Sequence, residues 1–219
     1  MERVAVMDVL YDDWVVTLLI VSFVLFSITV GSDLSQVEKS LRSMFNFKKS
    51  DGQLVYTPLS LFGLILATLH SALSTGILAY IYRGQGVAGY SETPLQSVLS
   101  LSLLVLLYIV AKIVLYIIAN AVVCSKYYMP AQHFRWSSFY IMVNAVLGAV
   151  ALLLSLSVIY LKIPLIIALF FYVSIAILLE IGVLFKLFSA FFKKKCSKLV
   201  FFIYLCALEI APCFLMWFL

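Results

Sequence analysis

The chain has 219 residues, of which 65% are hydrophobic and 11% are charged. A typical soluble domain carries about 25% charged residues, so this composition excludes a water-soluble globular protein and indicates that lipid surrounds most of the chain. The net charge of +5 does not indicate nucleic-acid binding, because the basic residues cluster at the ends of apolar segments, as topology signals do.

The N-terminal segment, residues 1–14, is acidic. Glu2, Asp8, Asp12 and Asp13 outweigh Arg3 there, whereas a secretory signal peptide begins with a basic region. We therefore expect the first apolar segment to be a retained membrane anchor.

Six apolar segments are long enough to cross a bilayer, which takes about 20 residues per helix. The predicted spans are residues 14–30, 58–82, 94–123, 138–161, 164–188 and 199–218. Thr57-Pro58 and Thr93-Pro94 each place a capping hydroxyl before a first-turn proline, and Pro164 predicts a tight turn between spans four and five. The predicted fold is all-α, a single polytopic membrane helix bundle covering residues 1–219.

The loop after the first span contains a further predicted helix. Ser35-Gln36-Val37-Glu38 matches a capping box. Apolar residues then recur at helical spacing among basic ones: Leu34, Val37, Leu41, Met44 and Phe45, with Lys39, Arg42, Lys48 and Lys49. This pattern predicts a short amphipathic interfacial helix. It serves either lipid sensing and docking or a purely structural role, and the structural interpretation is favoured.

The lysines and arginines of the loops predict the orientation. Eleven of them follow spans one, three and five, and three lie on the opposite side, at Arg3, Arg83 and Lys162. The positive-inside rule then predicts that both termini lie outside the cytoplasm. The basic cytoplasmic loops are the expected contact surface for a membrane-protein partner.

Charged residues lie inside three of the predicted spans, and Glu209 is the most informative of them. A charge near the bilayer centre costs on the order of 2.5–3.5 kcal/mol on insertion scales and indicates a site. Lys112, Glu180 and Glu209 are all predicted roughly 10–16 Å from the cytoplasmic surface, with His70 and Asn144 within one or two turns of that layer. We expect Lys112 to pair across helices with Glu209, and Glu180 is the second choice.

Spans three and six support this polar cluster. Tyr108, Lys112, Tyr116 and Asn120 recur every four residues, so they share one helix face. In span six, Pro212 predicts a helix break that frees the carbonyl of Leu208, next to Glu209. The cluster is either a structural clasp, which is favoured, or a proton relay or binding site.

No catalytic, metal or cofactor site is predicted. The four cysteines form no CxxC pair and no cluster with histidine. Residues 84–89 fit GxGxxG, but they join two membrane spans rather than a strand and a helix, so they are interpreted as a flexible turn.

The C-terminal string from Tyr204 to Pro212, YLCALEIAP, resembles an uncharacterised multi-pass inner-membrane family of Bacteroidota, domain of unknown function 4271. The Asp13-Trp14 start of the first span also resembles that family, and the similarity covers nearly the whole chain. The resemblance implies a Gram-negative inner membrane and implies no activity. Cys206, Glu209 and Pro212 are the positions that match its motif. Family members often end in a basic residue, whereas this chain ends in Trp217-Phe218-Leu219.

Two functions therefore remain open. The first is a non-enzymatic accessory or assembly subunit of a membrane complex, held together by the polar cluster. The alternative is a small proton-coupled transporter or channel that uses the intramembrane Lys, Glu and His side chains.

Overall fold

The chain is described by a computed structural model that covers residues 13–32, 60–84, 94–123 and 130–193. These residues form five α-helices, which are α1 Asp13–Ser32, α2 Leu61–Gly84, α3 Pro94–Val123, α4 Pro130–Tyr160 and α5 Leu165–Lys193. Each helix contains a stretch long and apolar enough to cross a membrane. The all-helical prediction is confirmed for this part of the chain.

The first five predicted spans each coincide with one helix, and the differences lie at the ends. The bounds of α3 agree with the prediction, whereas α4 begins at Pro130 rather than at 138 and α5 continues to Lys193 rather than ending at 188. The reason is that hydropathy marks only the part of a helix that lipid surrounds. The backbone hydrogen bonds of the helix continue beyond that part into polar sequence. The predicted sixth span and the predicted interfacial helix lie outside the described residues.

The N-terminus of α2 is capped by Ser60. Its hydroxyl accepts a hydrogen bond from the backbone N–H of Gly63 at 3.1 Å, and its carbonyl accepts one from Leu64 at 3.0 Å. A serine hydroxyl that satisfies one of the first free N–H groups is a typical N-cap. The helix therefore starts after Ser60, and the predicted Thr57-Pro58 start lies outside the described residues.

Helices α2 and α4 form the centre of the bundle. They make the most extensive contact between any two of the described helices, α1 and α3 pack mainly on α2, and α5 packs mainly on α4. Accordingly, more than half of the apolar span of α2 is buried, while that of α5 is the least buried.

Glycine allows α2 to approach both α3 and α4 closely. A Cβ at Gly148 of α4 would lie 2.6 Å from the Cα of Ser71, and one at Gly76 of α2 would lie 2.9 Å from the Cα of Ser102 on α3. Neither distance is possible for a real Cβ, so each contact requires glycine. Small residues at helix interfaces allow backbones to meet in this way.

The connection between α4 and α5 consists of residues 161–164. Lys162 has a φ of 53°, the left-handed conformation in which many helices end. Pro164 directly precedes α5 and its fixed φ favours the helix start. The two helices are therefore antiparallel neighbours.

Among the described residues, the largest apolar core lies at the end of the bundle where α1 begins and α4 ends. All five helices contribute to it, through Val15, Leu19, Ile77, Ile81, Val98, Leu152, Val158, Leu165 and Ala168. The polar side chains described below lie nearer the middle and the opposite end of the helices.

Candidate functional site

A buried ion pair links α3 to α5. Nζ of Lys112 donates a hydrogen bond to Oε1 of Glu180 at 2.8 Å. The Lys112 side chain is 2% exposed and that of Glu180 is 29% exposed. A lysine buried to this degree needs a compensating charge, because leaving an ammonium ion unpaired in an apolar interior is very costly.

Two tyrosine rings lie close to the ammonium group. Nζ of Lys112 lies 5.0 Å from the ring centroid of Tyr140 on α4 and 5.8 Å from that of Tyr108 on α3. Both distances are within the roughly 6 Å at which a cation is attracted to an aromatic face. Side chains of α3, α4 and α5 therefore meet at this one charge.

The helical repeat explains how the sequence assembles this site. Tyr108 and Lys112 are one turn apart on α3, as the predicted polar stripe requires, and Tyr116 follows in the same helix. On α4, the Nδ2 group of Asn144 donates to the backbone carbonyl of Tyr140 at 2.8 Å. Asn144 therefore lies one turn from the tyrosine that contacts the ion pair.

The second carboxylate oxygen of Glu180 is buried. Oε2 has no hydrogen-bond partner among the residues that the structure describes. A carboxylate accepts several hydrogen bonds, so Glu180 retains the capacity to bind one further donor.

Glu180, the second choice of partner, is the acid that lies against Lys112 in the structure. Glu209, the first choice, and the helix break at Pro212 lie outside the described residues. The pairing of Lys112 with Glu209 stays a prediction.

His70 forms a second polar group, on α2 where it meets α1. Its ring is completely buried, at 0% exposure. Nδ1 lies 3.0 Å from the backbone carbonyl oxygen of Ser22, 3.1 Å from the Ser22 hydroxyl and 3.3 Å from the hydroxyl of Ser74. The two serine hydroxyls are themselves 2.5 Å apart. Three polar atoms thus surround one ring nitrogen.

The carbonyl of Ser22 assigns the tautomer of His70. A carbonyl oxygen only accepts hydrogen bonds, so the nitrogen facing it carries the proton. In the neutral ring the other nitrogen, Nε2, is then an unprotonated acceptor. Nε2 has no hydrogen-bond partner within the described part of the chain, and a Cβ at Gly148 would lie 3.3 Å from it.

The predicted polar residues therefore occupy two groups. Lys112 and Glu180 lie with Tyr140 near one end of the apolar spans, while His70 lies against Gly148 nearer their middle. Tyr140 and Gly148 are separated by two helical turns of α4, or about 12 Å at 1.5 Å per residue. One face of α4, with Asn144 between them, connects the two groups.

Sequence reasoning missed two members of these groups, Ser22 and Tyr140. Ser22 is a lone hydroxyl in an apolar segment, where it gives little signal. Tyr140 lies four residues before Asn144, and this helical spacing was a usable signal for it.

The geometry limits the chemistry of the described residues. No three His, Cys, Asp or Glu side chains among them are placed to hold a metal ion. Ser22 and Ser74 contact His70 at the nitrogen that carries the proton, so the ring cannot act as a general base toward either serine. The arrangement instead suits charge pairing and proton binding.

A known protein family matches nearly the whole chain. The family model described as "Domain of unknown function (DUF4271)" matches residues 15–219, nearly the whole chain. No curated protein and no solved structure matches the chain.

Proposed function

We infer from the buried ion pair that this chain, which belongs to the DUF4271 family, is a non-enzymatic accessory or assembly subunit of a membrane complex. The single observation that carries this proposal is the contact between Lys112 and Glu180. It joins α3 and α5, the two helices that flank the central pair.

The ion pair acts as a clasp. An ion pair buried in a helix bundle fixes which helices meet and in what register, because a shifted helix would leave a buried charge unpaired. Lys112 approaches Glu180 directly at 2.8 Å and is covered by tyrosine rings. This direct pairing supports a structural role more strongly than a pathway for a substrate.

The cellular setting is part of the proposal. We place the chain in a bacterial inner membrane of the Bacteroidota as a multi-pass protein with six spans, the sixth at residues 199–218, and with both termini periplasmic. The excess of lysine and arginine after the first, third and fifth spans supports this orientation. The lipid bilayer is then the main environment, and the basic cytoplasmic loops are the docking surface for a membrane-protein partner.

Purification of the tagged chain from its native membrane in mild detergent tests this function. Mass spectrometry should identify a partner at stoichiometric amounts. A matched pair of variants localises the contact: replacing Lys193, Lys194 and Lys195 with glutamine should release the partner, whereas Lys162→Gln on the opposite side should retain it. A monomer or homo-oligomer with no co-purifying protein would contradict the proposal.

Proton-coupled transport is the second candidate, and the buried Nε2 of His70 favours it. Proton relays in transporters use ionisable side chains that face the interior of the helix bundle. Flux in proteoliposomes that depends on a pH gradient, and that Glu209→Gln abolishes while the fold is retained, would support transport over the accessory role.

A further inference from the structure

We propose that His70 is a reversible proton-binding site inside the bundle, with Nε2 as the atom that takes up the proton. This proposal holds whether the chain is an accessory subunit or a transporter, because it concerns a property of the folded protein itself.

The first step of the argument is the fixed orientation of the ring. Nδ1 donates to the carbonyl of Ser22 at 3.0 Å, and the hydroxyls of Ser22 and Ser74 lie beside the same nitrogen. A ring flip would turn Nδ1–H away from these acceptors. The lone pair of Nε2 is therefore held in one direction, toward α4.

The second step is the state of Nε2. A buried histidine with a purely structural role usually has hydrogen bonds at both ring nitrogens, since an unsatisfied buried polar atom costs about 1–3 kcal/mol. Nε2 of His70 has no partner among the described residues, although the ring is completely buried. An unpartnered basic nitrogen held in a fixed direction can take up a proton without breaking an existing hydrogen bond.

The third step is the support for the charged ring. When Nε2 binds a proton, Nδ1–H still donates to the Ser22 carbonyl, and that bond becomes charge-assisted and stronger. The ring of Phe26 lies 5.0 Å from the imidazole centroid, within the range of a cation–π contact. The imidazolium thus has two stabilising neighbours on α1.

The new N–H group would face α4. The position of a Gly148 Cβ lies 3.3 Å from Nε2 and 3.0 Å from the Cβ of Ser71. The Ser71 hydroxyl donates to the carbonyl of Thr68, so its own lone pairs are available to accept. The new donor would lie at this contact of α2 with α4, so protonation is expected to alter the packing of these two helices.

The described helices around His70 carry few titratable side chains. Tyr108 and Lys112 lie on α3, Tyr140 lies on α4 two turns from Gly148, and Tyr172 on α5 contacts Thr75 of α2. On α1, the residues against the ring are Ser22 and Phe26, which do not titrate. Glu180 pairs with Lys112, so this ion pair presents no net charge to His70.

The composition of the chain allows a direct test, because His133 is its only other histidine. In the variant His133→Gln, labelled with ¹⁵N-histidine and reconstituted in bilayers, nitrogen NMR observes His70 alone. At about pH 8 we expect a protonated Nδ1 and an unprotonated Nε2. On stepwise acidification to about pH 3, the Nε2 signal should convert to the protonated form, and it should revert when the pH is restored.

Circular dichroism on the same samples measures whether the helices persist, so each outcome either supports or overturns the proposal. Protonation of Nε2 with the helix content intact supports the proposal. The same protonation should be retained in Ser74→Ala, because the Ser22 carbonyl still accepts the hydrogen bond from Nδ1 in that variant. A protonated Nε2 at neutral pH overturns the proposal. So does an Nε2 that never converts, or one that converts only as the helices are lost.

Discussion

Gly148 of α4 lies directly against Ser71 of α2, so closely that a Cβ on the glycine would be 2.6 Å from the Ser71 Cα. This contact holds together the two central helices and also bounds the space beside Nε2 of His70. One absent methyl group therefore determines both the packing of the bundle and the surroundings of its buried histidine.

We expect Gly148→Ala to destabilise the protein, because the new methyl group collides with backbone atoms that cannot rotate away. Overpacking of this kind typically costs 1–3 kcal/mol, so we predict a loss of about 2 kcal/mol or more in unfolding free energy. Denaturant titration in bicelles measures it.

Gly182 of α5 is the matched control, since a Cβ there would meet nothing within 4 Å. Alanine favours helix over glycine by about 0.5–1 kcal/mol, so Gly182→Ala should be neutral or mildly stabilising. Equal losses in the two variants would show that helix packing at Gly148 is not the cause.

Removing one partner of the Lys112–Glu180 pair should be more damaging than removing both. Glu180→Leu alone leaves a buried ammonium ion and Lys112→Met alone leaves an unpaired carboxylate, and such losses typically cost about 3–5 kcal/mol. Replacement of both residues, Lys112→Met with Glu180→Leu, should recover most of that stability, because an apolar pair carries no desolvation penalty.

A double-mutant cycle on these variants checks this prediction. Each single variant and the double variant are unfolded in the same lipid mixture, and the coupling energy is calculated from the three losses. Additive losses would show that the two side chains do not interact in the folded protein.

The ring of Tyr140 should matter more than its hydroxyl for Lys112. Tyr140→Phe keeps the aromatic face 5.0 Å from Nζ, whereas Tyr140→Leu removes it. A desolvated cation–π contact is worth about 2 kcal/mol, so the leucine variant should be less stable than the phenylalanine variant by roughly 1–2 kcal/mol. Thermal unfolding of the two variants side by side provides the comparison.

Lys162 should be replaceable by glycine with a gain in stability. Its φ of 53° is left-handed, a conformation that costs a residue with a Cβ about 1–2 kcal/mol. Glycine avoids this cost but gains freedom in the unfolded chain, so the net gain should be about 0.5–1 kcal/mol.

Lys162→Ala separates the backbone effect from the loss of the charge, because alanine removes the charge and keeps the Cβ. It should leave the unfolding midpoint nearly unchanged. A gain as large as that of Lys162→Gly would assign the effect to the charge instead.

The sequence by itself was sufficient to predict the five helices that the structure describes. The apolar segments are long enough to cross a bilayer, and in lipid their backbone N–H and C=O groups must form hydrogen bonds within the protein. Few structures other than helices satisfy this requirement. Five predicted spans therefore coincide with α1 to α5, and Pro94 marked the start of α3 correctly because proline fixes a helical φ. The ends of α4 and α5 were predicted less well, since a helix continues past its apolar segment.

The tertiary structure alone decided which side chains meet. Helical spacing places Tyr108 and Lys112 on one face, but no pattern within α3 states which helix faces Lys112. The contact with Glu180 depends on how α3, α4 and α5 pack, which is a property of all three helices together. Likewise, Ser22 is separated from His70 by a predicted loop, and only the packing of α1 on α2 turns its carbonyl into the group that orients the imidazole. The residue types indicated where polar groups lie along each helix. The close helix contacts at Gly148 and Gly76 determined which of these polar groups are neighbours.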